Sequence, residues 1–316
     1  MTPDEYLQLA TDHVPACPLC GSSHRAPVTD RDRAGFPATS VCCTQCGLVY
    51  ITPRLTAEAY TEFYRSGEYR RIASSLKKPG DPPNTVESRR DCQLRYAETI
   101  SKLLSTAGLK PGMTFLDIGG SIGAVAARLT ADYGLRSTVL EPSDEERGEA
   151  AARGLETIAG TLDDWEPTER YDIVGLFQTI DHLLHPATSL RKIRERVIRP
   201  NGMLAVDVVD FRFLTAGFKN LHKAVKIDHP CAFTAWNMHV LLMRSGFEVL
   251  GTGDWSENVT LEFEGIKETI ARKRIFFCRP AERADVLPAT FDVRRLRALI
   301  EGVGRGMKER EACPIS

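Results

Sequence analysis

From residue 87 onward, apolar positions alternate between helical and strand spacing. Leu94, Ala97, Ile100, Leu103 and Leu104 recur at helical intervals, and Gly108 is placed to end that helix as its C′ residue. Residues 113–120 then form an apolar run that predicts a buried strand, followed by a helix over about 124–133. The same alternation predicts strands at 137–142, 155–158, 171–178 and 203–210, with helices over 144–153 and 189–198 between them. A turn at 199–202 closes the last of these helices. Thr234 is placed to cap a helix that runs to Ser245 and stops at Gly246, and residues 247–253 and 273–279 read as a final strand pair. Strands alternating with helices predict an α/β fold, an open sheet covered on both faces. Val293, Leu296, Leu299, Ile300, Val303 and Met307 fall on one face of a C-terminal amphipathic helix.

This pattern divides the 316 residues into a cysteine-bearing segment (1–73), a Pro/Gly-rich linker (74–86), an α/β domain (87–280) and a C-terminal helix and tail (281–316). A charged fraction of 26% and a net charge of −1 fit a soluble globular chain and give no overall signal for nucleic acid. No apolar run reaches the roughly 18–20 residues of a membrane span. The first residues lack a basic and then apolar leader, so a cytoplasmic location is expected.

Residues 115–123, Phe-Leu-Asp-Ile-Gly-Gly-Ser-Ile-Gly, run from strand through a glycine turn into helix. Open α/β sheets bind ligands at this place, and glycines let the backbone approach closely. Glu141 ends the next strand, where an acid can accept from both hydroxyls of a ribose. The spacing is not the G-x-G-x-x-G of dinucleotide folds. It resembles the first motif of class I S-adenosylmethionine-dependent methyltransferases, D-x-G-x-G-x-G, with Asp117, Gly119 and Gly123 in place and Ser121 at the middle glycine. Further matches are Glu141-Pro142, Leu162-Asp163, Phe177-Gln178 and Asp181-His182-Leu183. The resemblance implies a Rossmann-like, mostly parallel seven-stranded sheet of order 3-2-1-4-5-7-6. It also implies S-adenosylmethionine held by Asp117, Gly119, Gly120, Ser121, Gly123, Glu141, Pro142, Leu162, Asp163, Phe177 and Gln178.

Five of nine cysteines lie within residues 17–46. Cys17-Pro-Leu-Cys20-Gly and Cys43-Thr-Gln-Cys46-Gly form two CxxCG knuckles, the pattern of a closed four-cysteine zinc ribbon with a structural Zn²⁺. Cys42 breaks the spacing, and His24 is an alternative fourth ligand. The stretch that follows, with Tyr50, Pro53-Arg54, Phe63-Tyr64 and Tyr69, resembles the N-terminal zinc-binding segment of bacterial sugar C-methyltransferases and of glycan and secondary-metabolite methyltransferases. That implies a small-molecule acceptor such as a nucleotide-linked sugar or glycan, and a homodimer is a candidate assembly. Tyr64 and Tyr69 suit either packing or substrate contact.

Some acceptors must lose a proton during transfer, and histidine is the side chain suited to take it near neutral pH. His182, with His185 beyond it, follows the fourth strand; His229 lies in the long 211–231 connection; Asp181 could orient a histidine. Lys226 and Arg212 could hold an anionic acceptor. Two other readings stay open: a catalytically weak cofactor-binding and zinc-ribbon interaction module, and a nicotinamide-dependent oxidoreductase.

Overall fold

The computed structural model describes residues 2–76, 85–218, 221–263 and 266–281. The expected C-terminal helix lies outside the described residues. Seven strands form the central sheet: β1 (Thr114–Ile118), β2 (Arg136–Glu141), β3 (Glu156–Ala159), β4 (Tyr171–Leu176), β5 (Ile198–Val209), β6 (Phe247–Phe263) and β7 (Ile266–Pro280). Their order is β3-β2-β1-β4-β5-β7-β6, as the resemblance implies. The first five are mutually parallel, and β7 runs antiparallel to both β5 and β6. β1 is buried at every position and β2 at all but its first, which is why they read as continuous apolar runs rather than as alternation.

Helix ends follow local chemistry. Thr85 accepts from the Ser88 N–H and Ser88 reciprocates, so Val86–Leu104 starts on a capping box. Thr234 and Asn237 do the same for Ala235–Arg244. The first helix stops at Leu104 with Ser105 as its cap, so Gly108 is not the C′ residue that the spacing predicted. Gly108 instead takes a positive φ in the following turn. Leu94, expected in the core, is 39% exposed, because the buried face of this helix is narrower than the apolar pattern. The final hairpin is much longer than expected, since Asn258–Phe263 pairs on with Ile266–Ala271 past the apolar register.

The N-terminal segment forms a four-stranded sheet, ordered Cys231–Ala232, Val49–Ile51, Pro37–Cys43, Arg25–Arg31. Its edge strand therefore comes from the 211–231 connection. The Ile51 N–H donates to the Pro230 carbonyl and the Arg33 N–H to that of Val225, both at 3.0 Å. Arg54 donates to the Leu184 carbonyl at 2.7 Å, and the Tyr60 hydroxyl to that of Asp228 at 2.7 Å. The ribbon is thus built into the α/β body. The expected linker start at residue 74 falls inside the helix Glu68–Ser75. The 211–231 connection carries the helices Phe211–Phe218 and Leu221–Ala224.

Candidate functional site

β1, β2 and β4 end at a cleft enclosing about 1050 Å³ of open space. Its floor includes Gly119, Ser121, Glu141, Pro142, Leu162, Asp163 and Gln178. Gly119 is held to glycine by space as well as conformation: it takes φ +69°, and a Cβ there would lie 2.7 Å from Thr179 Oγ1. Ser121 itself adopts φ +52°, so the serine keeps the turn that a glycine would make. Its N–H donates to Glu141 Oε2 at 3.0 Å, and its hydroxyl accepts from Gln93 at 2.8 Å. Glu141 Oε1 accepts from the Ser143 N–H at 2.9 Å. Each Glu141 oxygen thus receives one backbone donor and keeps a lone pair for a diol.

Asp117, Gly120, Gly123 and Phe177 do not line the cleft; they shape it from behind. Asp117 is buried, and neither carboxylate oxygen has a hydrogen-bond partner. Burial, with Glu141 nearby, pushes its carboxyl up to about 8. A Cβ at Gly120 would lie 2.8 Å from that carboxylate, so the turn rests on it. Gly123 packs where a Cβ would lie 2.4 Å from Leu155. Phe177 stacks toward Phe115 with ring centroids 6.5 Å apart. Two buried carboxylates beneath a glycine turn suit a cationic ligand and oppose a pyrophosphate.

The ribbon supplies the cleft's other wall. Tyr60, Tyr64, Tyr69 and Arg70 line it. Arg70 is ion-paired to Glu146, and Tyr69 donates to the same carboxylate at 2.5 Å. His182 Nδ1–H donates to the Asp228 carbonyl at 2.8 Å and lies 2.5 Å from the Tyr64 hydroxyl, which itself donates to that carbonyl at 3.2 Å. Burial holds His182 below its usual range, so it is neutral at pH 7.

Behind Gln178 lies a second chamber, between the ribbon, the 211–231 connection and β7. Asp181, Lys226 and His229 face it. His229 Nδ1 is 2.8 Å from Asp181 Oδ2, and its Nε2 is 3.1 Å from Lys226 Nζ. The His182 and His229 rings meet edge to face at 4.3 Å. One faces the cleft and the other the chamber, so with Gln178 they form the partition. Burial raises the Asp181 carboxyl, but the charges of His229 and His182 outweigh that and hold it well below the usual carboxylate range. Arg212 is engaged by Asp210 and Glu268, so it does not project as a free anion holder. His185 lies 3.5 Å from Arg54 and caps the helix Pro186–Lys192.

Sequence reasoning missed Asp207, which is fully buried near the end of β5. It accepts from the Gln178 N–H at 2.5 Å and the Tyr96 hydroxyl at 2.9 Å, fixing Gln178 at φ +52°. A lone acid inside an apolar strand was the available signal. Asp228 and Arg70 carried none, because their roles depend on contacts between segments remote in the chain.

Cys17, Cys20, Cys43 and Cys46 converge, with all four sulfurs within 4.8 Å of one another. Cys17–Cys46 and Cys20–Cys43 are 3.5 Å apart. A tetrahedron with Zn–S near 2.3 Å has edges of about 3.8 Å, so the spacing fits a four-coordinate metal. The knuckles repeat one hydrogen-bond pattern: Cys17 N–H to Ser22 and Gly21 N–H to Cys17, then Cys43 N–H to Leu48 and Gly47 N–H to Cys43. Cys42 and His24 are outside this group.

The methyltransferase-domain family matches residues 88–252, 165 of the 316 residues. Cyclopropane mycolic acid synthase MmaA2 of Mycobacterium tuberculosis (strain H37Ra) is 26% identical over 171 residues, 49% of this chain and 56% of that protein. The chain therefore aligns with little more than half the length of this curated relative. A chain of the complex between the Haloferax volcanii Trm112 methyltransferase activator and its methyltransferase superposes with a TM-score of 0.50 at 14% identity, covering 71% of this chain and 98% of that one. The magnesium protoporphyrin IX methyltransferase of Synechocystis PCC 6803 with bound SAH gives 0.47 at 13% identity, covering 71% and 99%. With the family matched over more than half its length and the sheet order that the resemblance implied, the chain belongs to the methyltransferase-domain family.

Proposed function

We propose that this chain transfers a methyl group from S-adenosylmethionine to a small, soluble acceptor held in the second chamber. The observation that carries this reading is the partition: a nucleoside-type cleft and a polar chamber share a wall made of Gln178 and two touching histidines. Bound in the cleft, the cofactor supplies an activated sulfonium methyl, so the protein's task is mainly alignment.

The residues divide that task. Glu141 accepts from the ribose hydroxyls, and Leu162 with Asp163 borders the adenine. Glu141 lies under the cationic cofactor, and Asp117, whose carboxyl keeps its proton up to about pH 8 in the empty cleft, gains negative charge only as a bound cation favours its ionised form. Asp207 holds Gln178 at the partition. Asp181 accepts from His229 Nδ1–H and Lys226 Nζ donates to the Nε2 lone pair, so His229 takes a proton from the acceptor once the acceptor has displaced Lys226 from Nε2. His182, neutral and fixed by the Asp228 carbonyl, borders the cleft side and positions His229 by ring contact. The four cysteines hold one structural Zn²⁺, and with no open ligand position that metal stabilises the ribbon wall.

Nucleotide-linked sugars or glycans are the acceptors this reading favours. The ribbon's resemblance supports it, and so does the lining of the chamber, which carries several cationic side chains. An acyl acceptor, which the name of the mycobacterial relative suggests for that protein, would call for an apolar lining.

Calorimetry with SAH and with NAD tests the cofactor assignment, and transfer of labelled methyl into the small-molecule fraction of a cell extract tests the activity. Saturable SAH binding with labelled product is expected. Binding of NAD without SAH would overturn the proposal, and SAH binding without labelled product would favour the interaction module.

A further inference from the structure

The chamber behind Gln178 has an unbalanced charge. Arg33, Lys223, Lys226, Arg272 and Lys273 line it, against a single carboxylate, Asp181, which is already engaged by His229. Arg33 and Lys223 have no ion-pair partner among the described residues. Among the described residues Arg272 has only Glu257 as an ion-pair partner, at 3.8 Å, and its Nε is buried without a hydrogen-bond partner. Ser40, also in the lining, is fully buried with an unpartnered hydroxyl. Ser40 pairs with Ile51, and that register puts its side chain on the same face as Ile51, which lines the chamber too.

Arg33 and Lys223 are exposed, so the cost of an empty chamber falls on its buried groups, the Ser40 hydroxyl and Arg272 Nε. Burial depresses both Lys226 and Lys273; Asp228 and Asp181 for Lys226, and Asp207 and Asp181 for Lys273, work against that, while Arg33 and Arg272 add to it for Lys226 and Arg272 for Lys273. Unpaired donors and crowded positive charge on a half-enclosed wall call for an anion. The number of cations sets the anion's charge. One carboxylate would leave most of them unmatched, whereas a phosphate or diphosphate carries two or more charges and enough oxygens for several donors.

We propose that the chamber is a phosphoryl-binding site, in which Arg33, Lys223 and Arg272 grip a phosphate or diphosphate group of the methyl acceptor and the Ser40 hydroxyl donates to it. The proposal rests on the methyl-transfer reading, and it adds which part of the acceptor is recognised and by which residues. Held there, the acceptor's anionic end lies on the chamber side of the partition and its reacting end is left to face Gln178 and His229.

The test is calorimetric titration of the full-length protein with inorganic pyrophosphate, with succinate as a dicarboxylate arm and SAH as a separate titrant. Saturable pyrophosphate binding, tighter than succinate binding, is expected. Arg272→Gln is expected to weaken it about tenfold or more, and exposed Lys223→Gln several-fold. Arg191→Gln, exposed on the helix Pro186–Lys192 and outside the chamber lining, should leave it unchanged. Lys223→Gln also guards against a folding artefact, because its side chain is exposed. No saturable pyrophosphate binding, equal affinity in all variants, or tighter succinate binding would each overturn the proposal. Retained SAH binding alongside any of those results would leave the methyl-transfer reading standing, whereas failure to bind SAH would count against that reading separately.

Discussion

The two cavities that meet at Gln178 are made of opposite materials. The cleft is floored by the ends of β1, β2 and β4, with acids beneath a glycine turn. The chamber is assembled from the ribbon, the 211–231 connection and β7, and it is lined with bases. The cleft is built mainly by residues close together in the chain, from Asp117 to Gln178. The chamber joins Arg33, Lys226 and Arg272, which lie far apart in sequence. The contrast teaches where each specificity resides: a sheet edge can be reused for one cofactor, while the added elements around it select the acceptor.

The sharpest way to break that contrast is to remove the wall the cavities share with the ribbon. Cys43→Ser is expected to lose about one zinc per chain and to destabilise the N-terminal unit by several kcal/mol, read by metal analysis and thermal denaturation. Pyrophosphate binding should disappear, because Arg33 and Ser40 sit on the ribbon. SAH binding should weaken but persist, because the cleft's floor belongs to the α/β body. Retained zinc would point to Cys42 or His24 as a replacement ligand.

Next in size is a change on the cleft side alone. Glu141→Ala removes an acceptor for two hydroxyls and the partner of two backbone N–H groups. SAH affinity should fall about 100-fold or more, with pyrophosphate affinity unchanged. Equal losses in both titrations would show that the cavities are not separate sites.

The partition itself is tested by His229→Gln. Methyl transfer should fall roughly 100-fold if His229 takes a proton from the acceptor, with SAH affinity intact. A loss below tenfold would assign His229 to structure.

This same contrast explains how much was legible beforehand. The alternating strands and helices, the cleft and the cysteine knuckles follow from patterns local in sequence: a period of 2 or 3.6, a glycine turn, a CxxCG spacing; the sheet order came with the family resemblance that those patterns carry. Even the pairing of Asp181 with a histidine was within reach, although the partner is His229 and not its neighbour His182. The chamber was not legible, because the cations that line it come from three segments, and apart from Lys226, which the sequence offered as an anion holder, each one alone reads as a solvated surface charge. Arg212 shows the opposite error: it stood out in the sequence as an anion holder, yet Asp210 and Glu268 neutralise it. Asp207 was hidden for a further reason, since its position in β5 matters only because Tyr96 and Gln178 converge on it.

The smallest expected effect is also the one that isolates the cleft's electrostatics. Asp117 has a folded-state value near 8 against an ordinary value of 3.8, so the native state binds its proton more tightly than the unfolded chain does. Its protonated form therefore supports folding below about pH 4, and that support is lost as pH rises through about 8, where the native state must carry a buried, unpartnered carboxylate. Asp117→Asn keeps the shape that Gly120 rests on and removes the charge. In the absence of cofactor, the variant should be more stable than the parent at pH 8, and the difference should shrink toward pH 5, as measured by urea denaturation across that range. The same substitution removes the carboxyl that a bound cation would drive to ionise, so S-adenosylmethionine should bind more weakly to the stabilised variant. A destabilised variant at pH 8, or one whose stability difference is flat with pH, would mean that Asp117 is already paired in the cofactor-free protein, and the cleft would then owe its preference for a cation to Glu141 alone.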